Sequence, residues 1–194
     1  VDLIYVATPH MFHMEHAILC MEHGKHVLVE KPMAINDEQT GKMVACAKKN
    51  HVFLMEAMWT RLFPASFKIR ELVADGKIGT PVSVSSDFCF YFAPDPKHRL
   101  FSMELAGGAL LDVGIYTMAA STMVLGMEPS RVYGSCLKAE TGADIWDSIT
   151  MEYPGGAVSQ QLIGFLGKGA QREVIIGDKA RIEVPDFWHP TRFT

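Results

Sequence analysis

The chain has 194 residues, enough for one or two domains. Its apolar share of 48% and charged share of 21% match ordinary globular chains and exclude a disordered or fibrous one. A net charge of −4 without a basic run excludes a nucleic-acid binder's electrostatic footprint.

Residues 2–8 form a short apolar run, expected as a strand buried on both faces. Thr8-Pro9 then reads as an N-cap followed by Pro at the first helical position. The helix it opens runs through His16, Ile18, Leu19 and Met21, and Gly24 stops it. His26–Val29 is a second strand, ended by Glu30-Lys31-Pro32. Asn36-Asp37-Glu38-Gln39 is a capping-box variant, and its helix turns Thr40, Met43, Val44 and Ala47 to one side before Lys48-Lys49-Asn50. A third strand comes at 52–55. Strands alternating with helices through short connections predict right-handed crossovers and a parallel sheet.

The pattern changes after residue 57. Pro64 to Gly76 predicts one more helix. From Val82 the chain alternates with period two for eleven residues, with Val82, Val84, Ser86, Phe88, Phe90 and Phe92 on one face. A loop rich in Pro and charge, 93–104, leads to Gly107-Gly108 and a helix through Val124. Strand-like runs come near 132–137, 149–153, 158–163, 173–176 and 180–184, with Pro154-Gly155-Gly156 and Gly177-Asp178-Lys179 as turn signals. The pattern is α/β followed by α+β: the second half of a Rossmann-type parallel-sheet domain at 1–60, then a domain with an open, mostly antiparallel sheet at 61–194.

No uninterrupted apolar run reaches ~18 residues, so no membrane span is expected. Cys20, Cys46, Cys89 and Cys136 lie far apart, which fits a reduced compartment, taken to be the cytoplasm. The chain opens on a strand without an initiator Met and stops at Arg192-Phe193-Thr194 without a helix stop. A truncated piece of a longer protein is expected.

Ligands of an open parallel sheet bind beyond the strands' carboxyl ends. The first such end is Ala7-Thr8-Pro9-His10, where the free N–H groups and dipole of a helix start suit a phosphate or ribose. The second is Glu30-Lys31-Pro32. A lysine at a strand end is ordinarily a solvated charge, but Pro32 holds Lys31 extended and turns the chain directly after it, aiming the side chain at the cleft. The third feature is Gly107-Gly108-Ala109-Leu110-Leu111-Asp112-Val113-Gly114-Ile115-Tyr116. Asp112 and Tyr116 share a helix face; dipole complement and amphipathic packing explain them as well as chemistry does. His10, His13 and His16 recur every third residue, but no carboxylate or Cys joins them, so no metal is expected.

Ala-Thr-Pro followed by His, Glu-Lys-Pro at the next strand end, and Gly-Gly-Ala-Leu-x-Asp-x-Gly-x-Tyr together resemble the glucose–fructose oxidoreductase / inositol dehydrogenase / MocA (Gfo/Idh/MocA) family. Met55 to Pro64 (Met-Glu-Ala-Met-Trp-Thr-Arg-Leu-Phe-Pro) is similar to the branch of dimeric trans-1,2-dihydrodiol dehydrogenases and NADP-dependent D-xylose 1-dehydrogenases. The resemblance implies an NAD(P)-dependent dehydrogenase that moves a hydride to or from a carbinol of a sugar, polyol or dihydrodiol. NADP is slightly favoured over NAD. Lys31, Asp112 and Tyr116 match the family's catalytic positions; Thr8, Pro9, His10, Glu30, Lys31, Trp59 and Arg61 match cofactor contacts. His13, Trp59, Phe88 and Tyr116 are expected on the substrate, and a homodimer or higher oligomer through the C-terminal sheet is implied. The resemblance also places the Gly-x-Gly-x-x-Gly turn upstream of Val1, so an inactive truncated product stays open. So does a dinucleotide-binding regulator, although a pure binder has no need of Lys31, Asp112 and Tyr116 together. In the catalytic reading, Lys31 lowers the pKa of Tyr116 so that the phenolate serves as base.

Overall fold

The computed structural model describes residues 1–194. The first part is a three-stranded parallel sheet, β1 (Leu3–Val6), β2 (His26–Glu30) and β3 (Leu54–Ala57), in the order β1-β2-β3. Helices α1 (His13–Glu22) and α2 (Asp37–Asn50) make the crossovers. Met21, Val27, Val29, Met43 and Ala47 form the core between sheet and helices. Asn36 caps α2 as expected, its side chain accepting from the Gln39 N–H at 2.9 Å. At α1 the expected cap does not form. Residues 10–12 make a single 3-10 turn that Pro9 precedes, and the Thr8 hydroxyl instead meets His16 Nδ1 at 3.2 Å.

Helix α3 (Pro64–Ala74) leads into a six-stranded sheet: β4 (Pro81–Cys89), β5 (Arg131–Lys138), β6 (Asp144–Glu152), β7 (Val158–Gly164), β8 (Arg172–Gly177) and β9 (Arg181–Pro185). Their order is β5-β6-β7-β4-β8-β9. Only the central β4–β7 pair is parallel. β4 is shorter than its alternation predicts. It ends at Cys89, and beyond it only Tyr91 bridges to Leu166. Its predicted apolar face holds: Val84, Ser86 and Phe88 are buried while Val82 at the start is exposed.

Helix α4 (Ile115–Leu125) covers that face, preceded by a π-helical turn at Leu110–Gly114. A π turn takes one extra residue and so rotates the helix after it; no local sequence signal marks it. The apolar run Met103–Leu125 is long and hydrophobic enough to cross a membrane by length and composition. Half of it is buried inside the molecule, where α4 packs on β4 and β7 as a core helix. No two cysteines are bonded.

Candidate active site

The cleft lies between the carboxyl ends of the parallel strands and the segment 99–112. Its floor comes from the carboxyl ends of β1 and β2, supplying Ala7, Thr8, Pro9, His10, Glu30 and Lys31; its far wall comes from Arg99, Leu105 and Asp112. The volume is about 300 Å³. The parallel topology therefore brings both predicted strand ends to one place, as the crevice rule requires.

Lys31 and Asp112 are the centre. The Lys31 ammonium donates to the Asp112 backbone carbonyl at 2.6 Å and lies 3.6 Å from its Oδ1. Burial drives the lysine pKa down, against the pull of Asp112. Burial pushes the Asp112 carboxyl up, but Lys31 and Arg99 outweigh it and hold the group below its usual range. Arg99 is a site residue that the sequence motifs do not mark. Its guanidinium donates to Asp112 Oδ1 at 2.8 Å from the charged loop ahead of the glycine pair. That loop is held close because Gly107 lacks a side chain: a Cβ there would stand 2.5 Å from the Arg99 carbonyl. An arginine in a charged loop is the only signal of it in the sequence.

Tyr116 is brought to Lys31, but not as expected. The lysine Nζ sits over the ring face, 5.1 Å from its centre, a cation–π contact. The hydroxyl accepts from the Trp59 indole N–H at 2.9 Å. Burial pushes the phenol up to about 12 against the opposing Trp59 hydrogen bond, with the charges of Glu30 and Asp112 adding to the rise. The expectation that Lys31 lowers this pKa is corrected: the ammonium meets the ring rather than the oxygen. Tyr116 is a neutral phenol, buried beside Lys31 and not itself part of the cleft lining.

The remaining predicted residues divide. Thr8, Pro9, His10 and Glu30 line the cleft. His10 Nδ1 lies 3.2 Å from the Ala106 carbonyl, to which only an N–H can donate, so in the neutral ring the Nε2 lone pair stays free; burial lowers this imidazole's pKa. His13 borders the cleft too, but its side chain is fully buried. Its Nδ1 is 2.8 Å from the Pro32 carbonyl and its Nε2 2.7 Å from the Thr8 carbonyl. No ring nitrogen is left for a substrate, so His13 ties the two strand-end loops together instead. Phe88 is likewise buried, stacked on Trp188 at 4.6 Å and edge-on to Tyr116 at 5.4 Å. It backs the tyrosine and does not line the cleft. Arg61 lines a different, small cavity with Glu173, under the 3-10 turn that carries Trp59. The His10 and His13 rings meet edge-on at 5.7 Å, while His16 stacks on Phe12.

The chain is similar to known proteins. Residues 67–183 match the GFO/IDH/MocA C-terminal domain, and residues 1–58 match the oxidoreductase family with an NAD-binding Rossmann fold. The chain belongs to the Gfo/Idh/MocA family. Among its curated relatives, the trans-1,2-dihydrobenzene-1,2-diol dehydrogenase of Xenopus laevis is 37% identical over 195 residues, covering 98% of this chain and 58% of its own length. The D-xylose 1-dehydrogenase (NADP(+)) of Hypocrea jecorina is 39% identical over 169 residues, covering 79% of this chain and 43% of its own. Among solved structures, the aldose-aldose oxidoreductase of Caulobacter crescentus complexed with glycerol superposes with a TM-score of 0.90 at 28% identity, over 99% of this chain and 58% of that one. This Gfo/Idh/MocA chain thus spans under three-fifths of these relatives' length.

Proposed function

We propose that this chain is the catalytic part of an NAD(P)-dependent dehydrogenase, with NADP preferred, that acts on a carbinol of a neutral polyol, sugar or dihydrodiol. The observation that carries the reading is Lys31 held at the cleft floor between the Asp112 carbonyl and the Tyr116 ring. The similarity to dihydrodiol and D-xylose dehydrogenases supports it. So does the charge inventory of the cleft, where Lys31 and Arg99 stand against Glu30 and Asp112. Two cations facing two anions suit a neutral ligand rich in hydroxyl groups.

The cleft, about 300 Å³, fits one end of a dinucleotide. Strand ends, the Thr8 hydroxyl and the free Nε2 acceptor of His10 meet there, and Glu30 accepts from Tyr5 and from the Lys31 amide at 3.2 Å. Thr8, Pro9, His10, Glu30 and Lys31 would hold it. When bound, it supplies the hydride acceptor or donor. The protein's own residues handle the proton and the charge. In oxidation the carbinol hydroxyl loses its proton as hydride leaves the carbon, giving the carbonyl, and Lys31 would stabilise the negative charge that builds on that oxygen. Tyr116, neutral at rest through burial, would give its proton to the oxygen in carbonyl reduction, and its phenolate would take the hydroxyl proton in the reverse direction. Asp112 holds Lys31 and Arg99 in place. Trp59 fixes the Tyr116 hydroxyl.

The division into a cofactor part, 1–60, and a substrate part, 61–194, belongs to the same proposal. So do a cytoplasmic setting, in keeping with four unpaired cysteines, and a homodimer through the outer face of the large sheet, where Tyr133, Leu162 and Ile176 are exposed. The test is oxidation of D-xylose, glycerol and a trans-dihydrodiol by the full-length protein with NADP and with NAD. Reduced cofactor with at least one substrate is expected. Tight cofactor binding without turnover on any of them would favour a regulator.

A further inference from the structure

Asp144 lies outside the cleft, on β6, yet it touches the helix that carries Asp112 and Tyr116. Its Oδ2 accepts from the Leu110 N–H at 2.7 Å, at the start of the π turn. Those first amides have no partner within their own helix, and no side chain of the segment itself caps them. The cap comes from another strand.

Two further features place the carboxylate there. First, the β5–β6 ladder slips at this point: Leu137 faces Trp146 and Lys138 faces Asp144, leaving Ile145 as an extra residue. Such a bulge re-aims a side chain, and this one turns Asp144 toward the helix layer. Second, Gly108 leaves the space open. A Cβ at that residue would stand 2.1 Å from Asp144 Oδ1, and its φ of +129° favours glycine in any case. Asp147 lies further along the same strand, buried on the core face with its Oδ2 lacking a hydrogen-bond partner; burial and the neighbouring Asp144 push its carboxyl up. Lys138, opposite Asp144 across the ladder, is the cation closest in register.

We propose that Asp144 is a positioning residue: its carboxylate fixes the π turn so that the Asp112 carbonyl points at Lys31 and the Tyr116 ring lies beneath it. The Lys31–Asp112 contact is made to a backbone oxygen within that turn, so a shift of the turn moves it directly. The inference rests on the dehydrogenase reading.

The experiment compares Asp144→Ala, Asp144→Asn and Asp147→Asn in the full-length protein. Asparagine at 144 keeps an oxygen that accepts from Leu110, and Asp147→Asn is the control that alters the neighbouring carboxyl while leaving the cap in place. For Asp144→Ala, kcat is expected to fall about tenfold, the size of a lost cap expressed in the transition state. KM for the cofactor should change less than threefold, since the strand-end loops are untouched. Asp144→Asn and Asp147→Asn should stay within about threefold of wild type in kcat. Backbone amide exchange of the 107–116 segment should rise in Asp144→Ala alone. If Asp144→Ala melts at a lower temperature with kcat unchanged, Asp144 is only a structural cap and the proposal fails. Equal losses in Asp144→Ala and Asp144→Asn also overturn it. If the wild-type protein itself turns over no substrate, the dehydrogenase reading fails, while the exchange result still tests the cap.

Discussion

Glu173 is a fully buried carboxyl on β8 whose Oε1 has no hydrogen-bond partner. It faces a cavity lined by Thr60, Arg61, Ser66 and Ile69, with room for about one water. Burial alone lifts its pKa from 4.5 to about 7. The folded chain therefore binds this proton more tightly than the unfolded chain does. Stability is complete below pH ~4.5 and falls as the pH rises through about 7, then levels off. The rise of the pKa corresponds to roughly 3 kcal/mol. Glu173→Gln keeps the shape and removes the ionisation. The variant should match wild type near pH 4.5 and exceed it by roughly 3 kcal/mol above pH ~8, or about 6–12 °C in Tm for a chain of this size. Denaturant and thermal unfolding of both proteins between pH 4.5 and 9 measure the difference, in which all other titrating groups cancel. A variant less stable than wild type at pH 9 would refute the reasoning. It would mean that the carboxylate is paired, with Arg61 the cation on the same cavity.

The site leads to three other expected outcomes. Tyr116→Phe removes the proton donor but keeps the ring under Lys31; kcat should fall 10²–10⁴-fold with cofactor affinity unchanged by fluorescence titration. Arg99→Met frees one side of Asp112 and removes donors from the cleft wall, so KM for the polyol should rise more than KM for the cofactor in steady-state kinetics. Leu162→Asp places a charge on the outer face of the large sheet, and light scattering should show loss of the homodimer with the cofactor site intact.

The parallel half of the fold is legible because each strand and helix carries its own local signal. Apolar runs, Asn36 with Gln39, Gly24 and Pro32 mark their elements without help from distant residues. The same locality places Lys31, since the crevice rule needs only the strand end. The features that escape depend on tertiary contacts. Arg99 reaches Asp112 only because Gly107 lets two backbone segments touch. Asp144 caps a helix more than thirty residues earlier in the chain, and the start of β6 reads as polar loop because its first residues, Asp144 to Ser148, mix charge with a bulge. Phe88 and His13 have the right chemistry for a ligand, yet packing consumes both. The Lys31–Tyr116 relation is only half legible: proximity holds, but whether an ammonium meets the oxygen or the ring face is decided by the rotation of the π turn.

Lys31, on this account, stabilises the oxygen of the carbon from which hydride departs. Lys31→Met in the full-length protein keeps most of the bulk and removes the charge. Single-turnover reduction of NADP under saturating substrate, with cofactor affinity measured by titration on the same variant, tests the claim most directly. The account predicts a chemical step slower by on the order of 10²–10³, with cofactor affinity changed far less. A normal rate of hydride transfer in Lys31→Met would contradict it.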